Sequence, residues 1–182
     1  MKRTYPNQVA TCLAATAALS ASALGQSPVS SPTLLRTQTA FDVTVNLPYA
    51  EAAPLFGPEG ERAWAGESWN PQFLYPQPAH DEQGAVFTIQ HSRGAATWVN
   101  ALFDLEARHF IYAYFLPGLL VTSIDVRFKS ANPSSTRVHV VYTRTAVAPA
   151  GNDHVTLFTS NDKSAADEWQ QAIDSYLASR KH

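Results

Sequence analysis

Cysteine is almost missing: Cys12 is the only one in 182 residues, and it sits in an apolar N-terminal run. The rest of the chain therefore has no disulfide, no thiolate nucleophile and no cysteine metal ligand. Charge is scarce as well, since Lys, Arg, Asp and Glu make up 15% of the residues against about 25% in ordinary globular chains. No basic patch interleaved with aromatics occurs, which excludes nucleic acid as an electrostatic partner. Six histidines are present, yet none shows His-x-x-x-His spacing, so no metal site is expected. A glycine loop that could cradle phosphate is lacking, and Gly66-Glu67-Ser68-Trp69-Asn70 has no second glycine to make a nucleophile elbow. No cofactor is expected from these residues.

The N-terminus reads as a targeting segment. Lys2 and Arg3 precede the uncharged run VATCLAATAALSASAL (9–24), and ASA (21–23) or ALG (23–25) supplies small residues for cleavage. The run is too short and too alanine-rich for a membrane span. We therefore expect a signal peptide over 1–25 and a secreted or periplasmic protein with no integral membrane span after cleavage. Residues 26–35, rich in Ser and Pro, read as a flexible leader. Residues 36–182 read as one domain, long enough to bury a core.

Within that domain the first signal is alternation. Phe41, Val43 and Val45 alternate with Asp42, Thr44 and Asn46, which predicts a strand ended by Pro48. YAEAAPLF predicts a short helix that breaks near Pro54. FGPEGERAWAGESWNPQFLYP (56–76) is neither a clean helix nor a clean strand, yet it holds two tryptophans, two phenylalanines and a tyrosine. Strands follow over 84–92, 95–105, 108–118, 119–130 and 136–148, parted by turn signals such as Pro117-Gly118. Connections this short make neighbouring strands antiparallel.

From Val155 onward the apolar period becomes three and four, through Phe158, Ala165, Trp169, Ile173 and Leu177, with a polar interruption at Asp162. This predicts a C-terminal helix over 164–179, with a kink or a later start near Thr159-Ser160-Asn161-Asp162. The fold class is α+β: a curved antiparallel sheet with one face to bury, wrapped around its single long amphipathic helix.

That element order resembles the START-like, or SRPBCC, superfamily, whose helix-grip fold is shared by birch-pollen-allergen-like proteins, lipid-transfer domains and polyketide cyclases. The resemblance covers roughly 36–180 and rests on the strand from Phe41 to Pro48, the strand run 84–148 and the closing WQQAIDSYL helix. The stretch FGPEGERAWAGESWNPQFLYP looks especially like uncharacterised bacterial members. The resemblance implies an internal cavity between helix and sheet that takes a small hydrophobic or amphipathic molecule. It implies no particular reaction, because fold does not name function.

Ligand-binding candidates follow. Trp64, Trp69 and Phe73 lie in the segment that the resemblance puts near the cavity mouth, where rings either stack on a ligand or seal the core. Trp98, Asn100 and Leu102 share one strand face, and Phe110, Tyr112 and Tyr114 share a face of the next. Pointing inward, Asn100 and the hydroxyls of Tyr112 and Tyr114 would orient a ligand's polar end. Val99, Ala101 and Phe103 on the opposite face are equally apolar, so parity stays open there.

Thr122, Ile124, Val126 and Phe128 are predicted to face inward, with Val138, Val140 and Tyr142, while His139 faces out. Catalysis of a cyclase, aromatase or hydrolase kind is an alternative that would need a cavity base, for which only His91 and the Glu59, Glu61, Glu67 group come forward. Beside Arg62 and several glycines, those three glutamates read as a solvated loop. A structural domain with a dry core is the third reading.

Overall fold

The computed structural model describes residues 33–91 and 94–180, with His91 described through its backbone alone. The expected signal peptide, most of the leader and the side chain of His91 lie outside the described residues.

Among the described residues seven strands form one antiparallel sheet. They are β1 (Arg36–Val45), β2 (Gln72–Tyr75), β3 (Val86–His91), β4 (Gly94–Asp104), β5 (His109–Leu116), β6 (Leu120–Asn132) and β7 (Ser135–Ala146), in the order β1-β7-β6-β5-β4-β3-β2. Between β1 and β2 run α1 (Tyr49–Ala52), a 3-10 turn (Ala53–Phe56) and α2 (Pro58–Glu61). The chain closes with α3 (Gly151–Ser179). Thus the aromatic segment is a helical turn, a loop and a short strand. That strand, β2, is a four-residue edge that alternation in the sequence does not reveal.

Period-two burial organises the long strands as expected. Phe41, Val43 and Val45 are buried on β1, as are Thr122, Ile124, Val126 and Phe128 on β6, and Val138 and Val140 on β7. On β4 the open parity is settled by a bulge. Register slips between Asn100 and Leu102, so Trp98 pairs with Tyr114 and Asn100 with Tyr112, after which Leu102 meets Ile111 and Phe103 meets Phe110. One extra residue reverses the faces. Trp98 and Asn100 are buried inside, Phe103 stacks on buried Phe110 at 4.1 Å, and Leu102 falls on the other side.

The long helix starts at Gly151 rather than near Ser164. The weak turn Thr159–Asp162 stays helical because tertiary contacts hold it, a common override of propensity. Thr159 Oγ1 meets Thr37 Oγ1 at 2.7 Å, and Asp162 takes hydrogen bonds from Thr39 and Arg144. Further along, Gln170 reaches the edge strand β1, where it accepts from Thr44 N and donates to Thr44 O, both at 2.9 Å. A helix side chain thereby pairs backbone groups that an edge strand would leave open.

Helix α3 leans on β1 and, to a lesser extent, on β7 and β6. Trp169 packs edge-on to Phe41 and Trp64, at 5.2 and 5.1 Å between centroids. Phe56, Phe110 and Phe128 fill one end of the space between helix and sheet through T-shaped contacts. Toward β4 and β5 the helix is less engaged, and the interior opens.

Candidate functional site: two adjoining cavities between sheet and helix

The larger cavity is about 480 Å³ and lies between β4, β5, β7 and the first half of α3. Trp98, Tyr114, Tyr142 and Phe158 supply ring surface to it, and Arg144, His154 and Asp162 supply polar groups. Alternation along β7 puts Arg144 inside with Tyr142. Its guanidinium grips Asp162 with Nη2 2.9 Å from Oδ1 and Nη1 bonded to Oδ2, and both side chains are buried. The same guanidinium sits 4.5 Å from the centroid of the Tyr142 ring. Its Nε has no hydrogen-bond partner among the described residues.

A smaller pocket of about 40 Å³ lies deeper, sharing Trp98 and Tyr142 as walls with the larger one. Five rings surround it, from Trp69, Trp98, Tyr112, Tyr142 and Trp169, together with Ile124 and Val126. Its polar lining residue besides the two tyrosines is Glu61, the last residue of α2.

Local sequence explains how a glutamate comes to be there. Pro54 and Pro58 start their helical turns, where proline's fixed φ suits the first positions. Gly60 lies so close to the preceding turn that a Cβ would fall 1.8 Å from the Pro54 carbonyl oxygen. At Gly57 a Cβ would fall 2.1 Å from an Asp81 carboxylate oxygen. With that space free, Asp81 accepts from Glu59 N at 2.9 Å and Gly60 N at 3.3 Å, holding α2 down onto the interior.

Glu61 is consequently buried, at 8% exposure, which corrects the expectation of a solvated acidic loop. Only Glu59 and Glu67 stay near water, and Glu59 pairs with Arg62 at 2.8 Å. No described residue donates a hydrogen bond to the Glu61 carboxyl. Burial pushes its pKa well above the usual carboxylate value, and the nearby negative charge of Asp81 adds to the rise. Asp81 is itself raised by burial, although the two backbone donors oppose the shift. Tyr112 and Tyr142 are raised chiefly by burial and secondarily by Glu61.

The seven candidates from the sequence divide into two groups. Trp98 and Tyr114 line the larger cavity, stacked on each other at 4.6 Å, and Trp69, Trp98 and Tyr112 line the inner pocket. The Tyr112 hydroxyl donates to the Phe56 carbonyl, so its ring rather than its hydroxyl is the wall.

Trp64, Phe73 and Asn100 stand outside both linings. Trp64 donates Nε1 to the Leu55 carbonyl at 2.6 Å, and Phe73 stacks on Phe87. Asn100 donates Nδ2 to the Glu82 carbonyl at 3.1 Å and so pins the loop before β3. His139 lies on the outer face beside Asp42, 3.1 Å away.

Arg144, His154 and Asp162 are not among the sequence candidates, and Glu61 is there only as one of three glutamates in a loop that reads as solvated. The polar break in the helix stripe marked Asp162, and alternation from Tyr142 marked Arg144. Glu61 has no local signal, since its burial depends on close approaches between turns. Among the described residues no group of three His, Cys, Asp or Glu is placed to hold a metal ion, and no helix is long and apolar enough to cross a membrane.

No protein-family model matches the sequence, and no curated protein matches it. Solved structures do match in three dimensions. Norcoclaurine synthase from Thalictrum flavum, in complex with dopamine and hydroxybenzaldehyde, aligns with TM-score 0.56 and 9% identity over 78% of this chain and 88% of its own. Ara h 8.0201 aligns with TM-score 0.52 and 15% identity, over 79% and 99%. The di-domain ARO/CYC protein BexL of the BE-7585A biosynthetic pathway aligns with TM-score 0.57 and 14% identity, over 76% and 46%. At these identities the likeness is one of architecture: a seven-stranded antiparallel sheet gripping a long C-terminal helix. This chain has the helix-grip fold.

Proposed function

We propose that this protein is exported from the cytoplasm and holds one small apolar or amphipathic molecule between its sheet and α3. The observation that carries the reading is the cavity of about 480 Å³, walled by aromatic rings and edged by a buried Arg144–Asp162 pair. Concave sites of this size, mostly apolar with a few placed polar groups, are where small molecules bind. A ligand losing about 200 Å² of apolar surface there would gain roughly 5 kcal/mol before entropic costs. That norcoclaurine synthase has been crystallised with dopamine and hydroxybenzaldehyde shows that one protein of this architecture takes small aromatic molecules. A dry, filled core, the structural alternative, would leave no space of this kind.

Native mass spectrometry of protein purified from its own compartment tests the reading. A retained small molecule is expected, together with an N-terminus near residue 26. Retention of residues 1–25 removes the export reading. Protein that carries nothing and fails to bind 2-naphthol, indole or dodecanoate removes the carrier reading.

A further inference from the structure

We propose that the inner pocket recognises the ammonium head of an organic amine, with Glu61 as its counter-ion and the amine's apolar body lying in the larger cavity. The assignment rests on the carrier reading above and adds the chemical class of the ligand's polar end.

Three observations converge. Glu61 is a buried residue whose carboxyl lines the pocket, and no described residue donates a hydrogen bond to it. Leaving such a group unsatisfied costs the folded protein its desolvation energy, and a ligand that donates to it relieves that cost.

The remaining walls are five aromatic residues together with Ile124 and Val126. Three tryptophans and two tyrosines line the pocket, and aromatic rings are groups on which organic cations settle where water is excluded.

The charges nearby also have the sign that favours a cation. Asp81 is the charged group acting on Glu61 from the loop before β3, Tyr112 and Tyr142 face it from β5 and β7 as neutral phenols, and α3 contributes the uncharged Trp169. The guanidinium of Arg144 next door is already gripped by Asp162. A carboxylate or phosphate head would meet the Glu61 carboxyl, with Asp81 behind it, and no base among the described residues that line the pocket. An uncharged alkyl end would leave the carboxyl buried and unpaired.

Size agrees. About 40 Å³ admits one ammonium-sized head, and the shared Trp98 and Tyr142 walls put the larger cavity beside it for the rest of the molecule. Burial raises the Glu61 carboxyl, so any proton it carries goes to solvent as the ammonium arrives, leaving a carboxylate paired with a cation.

Hexylamine, hexan-1-ol and hexanoate share a chain length and differ in head group, so titration calorimetry of the purified protein at neutral pH separates the possibilities. Hexylamine should bind tightest and hexanoate weakest. Glu61→Gln should weaken hexylamine by roughly 30-fold, as expected for removing one partner of a buried charge pair, while leaving hexan-1-ol within about twofold. Repeating the hexylamine titration with the unmodified protein from about pH 5 to 8 should show affinity rising as the Glu61 carboxyl ionises. This readout needs no variant to fold.

Equal or tighter binding of hexan-1-ol or hexanoate overturns the ammonium assignment and leaves the cavity reading standing. Hexylamine binding that does not strengthen as pH rises, or that ignores Glu61→Gln, overturns it too. Failure of all three molecules to bind overturns both readings.

Discussion

Arg144 on β7 and Asp162 on α3 form a bidentate ion pair, Nη2 to Oδ1 at 2.9 Å, on the wall of the larger cavity with both side chains buried. Thr39 on β1 donates to the same carboxylate. One pair therefore joins two strands to the turn of α3 with the poorest helix propensity, and it does so where a ligand would lie. Two charges taken out of water repay that cost only when their mutual geometry is good, and breaking such a pair is worse than never having it.

Asp162→Asn should accordingly destabilise the fold by about 3 kcal/mol, because the guanidinium stays buried without its charge partner. The double variant Arg144→Met with Asp162→Leu should recover most of that loss. Urea unfolding followed by circular dichroism measures both. A single variant as stable as the unmodified protein would show that the pair contributes nothing to holding α3.

A second prediction concerns pH. The folded protein holds the Glu61 proton more tightly than the unfolded chain does, because burial raises the carboxyl above its usual value near 4.5. Stability is therefore undiminished at and below that value, falls as pH rises through the window up to the raised pKa, and levels off beyond it. Asp81 is shifted in the same direction, so Glu61→Gln should flatten this decline without abolishing it. At pH 8 the variant should be about 1–3 kcal/mol more stable than the unmodified protein, the cost of an unpaired buried polar group. Denaturation midpoints between pH 4 and 8 check this, and parallel curves for the two proteins would contradict it.

The strand pattern and the helical stripe made the sheet and the second half of α3 readable from sequence, because each depends on a repeat longer than one turn. Features set by contact between distant turns left no such trace. The bulge after Asn100 costs one residue of register, and nothing in Trp98–Asp104 announces it. Glu61 lies among Arg62, Gly57 and Gly60, a composition typical of solvated loops, yet those glycines are what let Asp81 and Pro54 press α2 inward. Asp162 shows the intermediate case, in which a polar residue in an apolar stripe signals a buried partner without naming Arg144.

Gly60 offers a direct test of that account. Alanine in a helix ordinarily stabilises relative to glycine, but here its Cβ would fall 1.8 Å from the Pro54 carbonyl oxygen. Gly60→Ala should destabilise by about 2 kcal/mol or more, as overpacking against backbone does. It should also lift α2, restoring an ordinary carboxyl pKa to Glu61. Thermal melting reads the first effect, and carboxyl NMR titration of Glu61 reads the second. An alanine variant that melts higher would mean that this approach is loose.

Asn100 and Tyr114 separate scaffold from cavity wall. Both were expected to meet a ligand, and both point to the interior, yet Tyr114 lines the larger cavity while the Asn100 amide is spent on the Glu82 carbonyl. Asn100→Ala should cost about 1 kcal/mol of stability, the usual worth of a hydrogen bond, and leave the affinity for 2-naphthol within about twofold, as for a residue outside the contact surface. Tyr114→Ala removes the ring stacked 4.6 Å from Trp98 and should weaken 2-naphthol by about tenfold, the share of one aromatic wall. Quenching of Trp98 fluorescence by 2-naphthol follows both titrations. If the asparagine variant loses affinity and the tyrosine variant keeps it, the ligand lies beyond Asn100 towards β3, and the larger cavity is not where it binds.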